Sequence, residues 1–346
     1  MNSDTDFRMA ALTNWLESKA AAHGLDLDTL EPASADASFR RYFRLQGKSA
    51  TVIVMDAPPA HEDCRPFLHV TQLLDEAGLN VPDIIAQDLD QGFLLISDLG
   101  KQTYYQAIQA GLSDSALQKL YHDAIDALVR MQQASTTGLA LYDQDRLVQE
   151  LSVFPEWYVK RHCHATLDDK DQVALQQTFT MLAQDNVKHA RVLVHRDFHS
   201  PNLMVGGQNG SSGDPGIIDY QDALAGPLTY DIASLVMDAR TTWEEPQQLD
   251  WAIRYWERAR AAALPVPDDF AEFHRAYEWI GLQRNLRILG VFARLSYRDQ
   301  KDHYLQHMPR VNAYVRQVAT RYNVFRPLLR VLDKIDGRQV TTGYTF

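Results

Sequence analysis

Cysteine is scarce in this chain. Cys64 and Cys163 stand far apart with no C-x-x-C spacing, which leaves no disulfide framework to read and makes a reducing cytoplasm the default compartment. Long apolar runs are missing as well, so no segment reads as a membrane span. Positive charge is in deficit, with 34 Lys and Arg against 45 Asp and Glu and a net charge of -11. Nucleic acid is therefore a poor partner, because its binding draws on clustered basic residues. A phosphate site remains compatible, since it needs positive charge only locally. There is no internal repeat and no low-complexity tail. What remains is an ordinary globular composition, 45% hydrophobic over 346 residues, long enough for two lobes and a cleft. Residues 6–24 place Met9, Leu12, Leu16 and Ala20 on one side with Arg8, Glu17 and Lys19 between them, which predicts an amphipathic helix rather than a signal peptide.

Strand patterns concentrate early, at 38–45, 51–55 and 93–97, with a helix expected over 61–76 that stops at Gly78. Val81-Pro82 opens an extended stretch. From Gln102 onward helical spacing dominates: Leu117, Leu120, Tyr121, Ile125, Leu128, Val129 and Met131 mark a core helix, and aromatic-rich helices are expected over 247–332. The Gly/Ser-rich run 206–216 lies between two short strand patterns and reads as a hairpin connection.

Chemistry is most legible in His195-Arg196-Asp197-Phe198-His199-Ser200-Pro201-Asn202. A loop of the form H-R-D-x-x-x-x-N sets one carboxylate beside an attacking hydroxyl and one amide oxygen beside Mg²⁺, the constellation of phosphoryl transfer. Asp219 ends the apolar stretch Gly216-Ile217-Ile218, where a second metal ligand is expected. Asp197 is thus the expected base, and Asn202 and Asp219 the metal ligands. Arg196 either neutralises a neighbouring carboxylate or touches the transferred phosphate. Turn-forming Asp and Asn would give part of this pattern, but the flanking strands Arg191-Val192-Leu193-Val194 and Leu203-Met204-Val205 favour the functional reading. His195 and His199 have zinc-pair spacing, yet lack a Glu between them and precede Pro201. Tyr220-Gln221 stands where protein kinases carry Phe-Gly, and no Ala-Pro-Glu segment follows.

The nucleotide grip is unusual. The position of a glycine-rich loop reads Ser34-Ala35-Asp36-Ala37-Ser38-Phe39-Arg40-Arg41, and Met55 occupies the third strand where a phosphate-pairing Lys is expected. Strand alternation puts Arg40, Tyr42 and Arg44 on one face and Arg41, Phe43 and Leu45 on the packing face. Arg40 is the expected phosphate contact, with Arg44 second and Ser38 in the covering loop. Read as surface groups, the same arginines would simply be solvated. Phe93 to Gly100 is placed as last strand and hinge, with Ser97, Asp98 and Leu99 offering backbone groups to an adenine edge.

Asp36-Ala37-Ser38-Phe39-Arg40-Arg41-Tyr42, Val54-Met55-Asp56-Ala57-Pro58-Pro59, the 195–202 loop and Asp219-Tyr220-Gln221-Asp222 together resemble the aminoglycoside phosphotransferase superfamily. The blocks 150–158, 283–295, 298–301 and 304–305 resemble more narrowly the bacterial anomeric kinases of N-acetylmuramate and N-acetylglucosamine. The resemblance implies an α+β, protein-kinase-like two-lobe fold: a small antiparallel-sheet N-lobe, residues 1–99, and a large, mostly helical C-lobe, residues 100–346. It implies a cytoplasmic enzyme using ATP and Mg²⁺ on the C1 hydroxyl of an amino sugar from peptidoglycan turnover, with the α-1-phosphate passed to a uridylyltransferase and no nucleic acid or membrane as partner.

For the sugar, Glu150, Trp157, Tyr158, His199, Asp222, Gln283, Arg284 and Arg287 are candidates by residue type and place. Arg284 or Arg287 suits the lactyl carboxylate of N-acetylmuramate. Each has an ordinary structural alternative: Trp157 as core, Glu150 in a cap or ion pair, the arginines as a solvated helical stripe. Asp231 is expected to order the catalytic loop. Two other functions remain open, a kinase of another hydroxylated small molecule such as an aminoglycoside, and a nucleotide-binding pseudokinase.

Overall fold

The amphipathic pattern at the start of the chain forms helix α1 (Ser3–His23). A computed structural model of the protein describes residues 3–34, 39–206 and 213–337. After α1 come strands β1 (Asp26–Ser34), β2 (Arg41–Gln46) and β3 (Thr51–Asp56), helix α2 (Arg65–Glu76), and strands β4 (Ile84–Asp88) and β5 (Phe93–Ser97). These strands make one antiparallel sheet in the order β1-β2-β3-β5-β4. Leu12, Trp15 and Leu16 of α1 pack on Leu45, Val54, Phe93 and Leu95, with Phe43 and Val52 at the margin. Side chains alternate across a strand, so Tyr42, Arg44, Ile53 and Met55 project from the opposite face.

Helix α2 begins at Arg65 rather than at the expected His61. Pro66 fits only the first turn of a helix, where its missing N–H leaves no bond unmade. Strand β1 escapes the sequence pattern because Asp26, Asp28, Glu31 and Pro32 are all poor strand formers. It lies at the sheet edge and pairs with β2 through irregular register, where such residues are tolerated.

Helix α3 (Tyr104–Gln109) leads into α4 (Asp114–Met131), whose N-cap Ser113 accepts from the Ala116 N–H. Then follow α5 (Gln144–Leu151), a wide π-helical segment (Phe154–His162), α6 (Asp169–Asn186) and β6 (Arg191–Val194). Strands β7 (Leu203–Met204) and β8 (Gly216–Ile217) pair as the expected hairpin, and residues 207–212 of its connection lie outside the described residues. Strand β9 (Leu224–Pro227) pairs with β6. The chain continues through α7 (Tyr230–Val236), α8 (Glu245–Ala261), α9 (Phe270–Asp299), α10 (Met308–Arg321) and α11 (Arg326–Ile335).

The long helix α9 is seated by two glycines. A Cβ at Gly281 would lie 2.6 Å from the Met237 sulfur, and one at Gly290 would lie 2.5 Å from the carbonyl carbon and oxygen of Val153. At Gly290 the neighbour is backbone, so only a residue without a side chain permits that approach, whereas at Gly281 the flexible Met237 side chain would have to swing aside.

The chain divides into two compact units, Met1–Ala107 with Asn202–Asp222, and Ile108–Pro201 with Ala223–Phe346. A cut at residue 99 was expected. Instead the β7–β8 hairpin joins the N-terminal unit, because the Val205 N–H donates to Gln102 O (2.8 Å) and the Ile217 N–H to Asn80 O (2.9 Å). No helix among the described residues is long and apolar enough to cross a membrane.

Candidate active site

Within the helical unit, strand β6 leads into the 195–202 loop. The buried Asp231 carboxylate, in the first turn of α7, accepts from the backbone N–H groups of His195 (2.7 Å) and Arg196 (3.0 Å). It thereby fixes the left-handed backbone of Arg196, φ 78°, a conformation that costs a side-chain-bearing residue free energy. Burial pushes the Asp231 carboxyl up, to about 7, against the pull of those two N–H groups and Arg284. The loop-ordering role expected for this residue is the one its bonds describe.

A second buried carboxylate, Asp238, accepts from the Ser200 N–H (3.0 Å), the Ser200 hydroxyl and the Arg240 N–H (2.9 Å), with His199 Nδ1 at 3.7 Å. Burial alone would raise it, but His199, Arg240 and Ser200 hold it well below the usual carboxylate range. His199 is itself pushed down by burial despite Asp238. It packs under the loop between Asp238 and Arg240, so its visible bonds are structural. Sequence reasoning missed Asp238 and Arg240; the available signal was an ionisable residue at the end of the apolar run Ile232–Met237.

Asp197, by contrast, keeps 40% of its side chain exposed. Burial of its surroundings would push its carboxyl up, but His199, Arg287, Arg284 and Arg196 outweigh that and hold it at about 2. Since His199 is neutral near pH 7, the three guanidiniums carry the effect there. Arg284 Nη2 lies 4.0 Å from Asp197 Oδ1. Arg284 is 3% exposed, and its Nε and Nη1 have no hydrogen-bond partner. Buried unpaired donors of this kind are uncommon and mark a place where a polar ligand or water belongs.

The remaining arginines converge on Glu150. Arg196 Nη2 reaches Glu150 Oε1 at 2.6 Å, Arg287 Nε reaches Oε2 at 3.1 Å, and the Tyr142 hydroxyl donates to the same oxygen. Of the two roles expected for Arg196, its contacts match neutralising a carboxylate. Glu150 is the hub of an ion network. Gln283 accepts from Asn186 Nδ2 (2.7 Å) and donates to Leu147 O (3.4 Å), and buried Tyr158 stacks on Phe154. Both are tied into the interior rather than presented to a ligand. Trp157 is half-buried with Arg161 over its ring.

Within the N-terminal unit, Asn202 and Asp219 come together. The Asn202 backbone carbonyl accepts from the Ile218 N–H (3.1 Å), the Asn202 amide nitrogen lies 3.4 Å from Asp219 Oδ2, and Gln221 Nε2 donates to Oδ1 at 2.9 Å. Asp219 is exposed, with φ 66°. Turning the Asn202 amide presents its oxygen beside the carboxylate, a pair of hard donors that fits Mg²⁺. Tyr220 is buried, stacks on Phe67 and shares a hydrogen bond with the Thr71 hydroxyl (2.8 Å), anchoring the segment to α2. Asp222 is exposed at the end of the unit.

Of the nucleotide candidates, Ser38 lies outside the described residues. Arg44 binds Asp98 through Nε (2.6 Å) and donates to Gly100 O (2.9 Å). Asp98 also accepts from Thr51 Oγ1 (2.7 Å) and the Gly100 N–H (3.0 Å), and Ser97 Oγ accepts from the Asp83 N–H (2.8 Å). These side chains hold the strand end in shape, and Arg44 is engaged in that pairing. Leu99 packs against Gly216. Arg40 is paired with Glu62 at 3.0 Å, and Met55 is buried.

Residues 29–273 match the phosphotransferase enzyme family, and the chain belongs to that family. It is 42% identical over 342 residues to the N-acetylmuramate/N-acetylglucosamine kinase of Neisseria meningitidis serogroup B, covering 98% of this chain and 99% of that protein. The protein of the same name from Pseudomonas aeruginosa is 43% identical over 307 residues, 88% of this chain and 87% of its own length. Among solved structures, the GDP complex of aminoglycoside 2'-phosphotransferase-IIIa superposes with a TM-score of 0.59 at 14% identity, covering 87% of this chain and 98% of that one. The fold is accordingly of the aminoglycoside phosphotransferase, protein-kinase-like class.

Proposed function

We propose that this protein is an ATP-dependent anomeric sugar kinase that phosphorylates the C1 hydroxyl of N-acetylmuramate and N-acetylglucosamine. The observation that carries the reading is Asp197, an ionised, half-exposed carboxylate on a loop that Asp231 fixes, with Arg284 beside it. The choice of sugars is supported by similarity along nearly the whole chain to kinases named for them.

Asp197 accepts the proton of the C1 hydroxyl as its oxygen bonds to the γ-phosphorus, and the bond from that phosphorus to the β–γ bridging oxygen breaks, releasing ADP. A hemiacetal hydroxyl is more acidic than a simple alcohol, and a loose transition state asks the base chiefly to orient it. Asn202 and Asp219 would hold Mg²⁺, which when bound offsets charge on the phosphates. Arg284 is the cation placed for an anionic acceptor such as N-acetylmuramate. Asp197 and Glu150 face guanidiniums, Arg284 for the first and Arg196 with Arg287 for the second, which weakens their attraction for a polycationic drug. The product, an α-1-phosphate, suits conversion by a uridylyltransferase in cell-wall recycling in the cytoplasm.

Phosphorus NMR with Mg·ATP and each acceptor tests this. A new phosphomonoester coupled to an α-anomeric proton is expected with either amino sugar. Phosphate gained by an aminoglycoside alone, or ATP left intact, would reject the reading.

The low pKa of Asp197 adds a second expectation. A depressed carboxylate stays ionised above its unfolded value and is lost only as pH falls toward the folded one. The profile of kcat/KM for the sugar should therefore show no acid limb from this base between about pH 5 and 8. A limb in that range that disappears in an Asp197 variant would overturn the depressed pKa, not the identity of the base.

A further inference from the structure

In kinases the phosphate-contacting lysine of the third strand is held by a glutamate of the following helix. Here Met55 is buried on that strand and no lysine replaces it. Arg40, immediately before β2, directs Nε and Nη2 to a single oxygen of Glu62 at 3.1 and 3.0 Å, with 13% and 16% of the two side chains exposed. Glu62 is a firm anchor. Its N–H and that of His61 both donate to Pro58 O at 2.9 Å, just after β3, and α2 begins three residues on. Phe39 stacks on His61 with ring centroids 4.4 Å apart and planes 14° apart. Two successive residues of the lead-in to β2 are thus clasped by two successive residues of the lead-in to α2. Strand alternation puts Arg40 with Tyr42 and Arg44 on the face of the sheet opposite the one that α1 covers.

We propose that Glu62 is the positioning residue that holds Arg40 as the nucleotide-phosphate cation, the pair standing in for the strand lysine and helix glutamate. The inference rests on the kinase reading above. Arginine suits the task, because its planar, always charged fork matches the geometry of phosphate oxygens. A guanidinium fixed in advance meets the phosphates with little ordering cost.

The test measures nucleotide Kd by titration calorimetry with ATP and ADP, together with steady-state kinetics, on Glu62→Gln, Glu62→Asp and the unaltered chain, with melting temperature as the folding control. Glu62→Gln is expected to raise the nucleotide Kd and the KM for ATP about tenfold, with the KM for sugar unchanged. Glu62→Asp should recover part of the loss, which a merely structural pair would not predict. An unchanged Kd would overturn the inference. So would tighter binding, since Glu62 would then be competing with the phosphates for Arg40. If the unaltered chain binds no nucleotide, the kinase reading falls as well; if it binds and Glu62→Gln is silent, only this inference falls.

Discussion

Asp197→Asn is expected to lower kcat about a hundred- to ten-thousand-fold, the range that a positioned general base supplies. The substitution preserves shape and removes the proton acceptor. Ligand recognition should survive it, because Arg40, Asn202 and Asp219 are untouched. Calorimetric titration with ADP would show an unchanged affinity, and single-turnover measurements would place the loss on the chemical step rather than on product release. A variant that retains a rate within a few-fold of the parent would remove Asp197 from the role of base.

Asp231→Ala should have the largest effect on stability. The carboxylate is 0% exposed, and its loss strands the N–H groups of His195 and Arg196 where water does not reach. Each buried unpaired donor costs about 1–3 kcal/mol, so a loss of about 2–6 kcal/mol is expected on chemical unfolding. The strained Arg196 backbone would relax at the same time, carrying its guanidinium away from Glu150. Asp231→Asn keeps one acceptor oxygen and should lose less. If the alanine variant melts with the parent and turns over normally, the loop is held by something other than Asp231.

What the sequence disclosed was local. The 195–202 loop and Asp219 are legible because their spacing is itself the signal, and α4 because seven apolar positions repeat at helical period. What it concealed was long-range pairing. Arg44 and Asp98 are 54 residues apart, and nothing near either announces the bond that occupies both. Glu150 meets Arg196 and Arg287 from two distant elements in the same way. Tyr158 and Gln283 have the chemistry of sugar contacts, and only packing turns them inward. Glu62 carried no pattern at all; only the turn at Pro58 brings it to Arg40.

The two glycines of α9 bracket Arg284 and Arg287. With the helix seated by backbone approach at Gly290 and by Met237 at Gly281, its register does not depend on either arginine. Position 287 is nonetheless constrained, because its side chain bonds Glu150. Position 284 has no such bond and stands beside Asp197. Under the proposed function, acceptor range would diverge among descendants of this chain by exchange at one site, without repacking the helix that carries it.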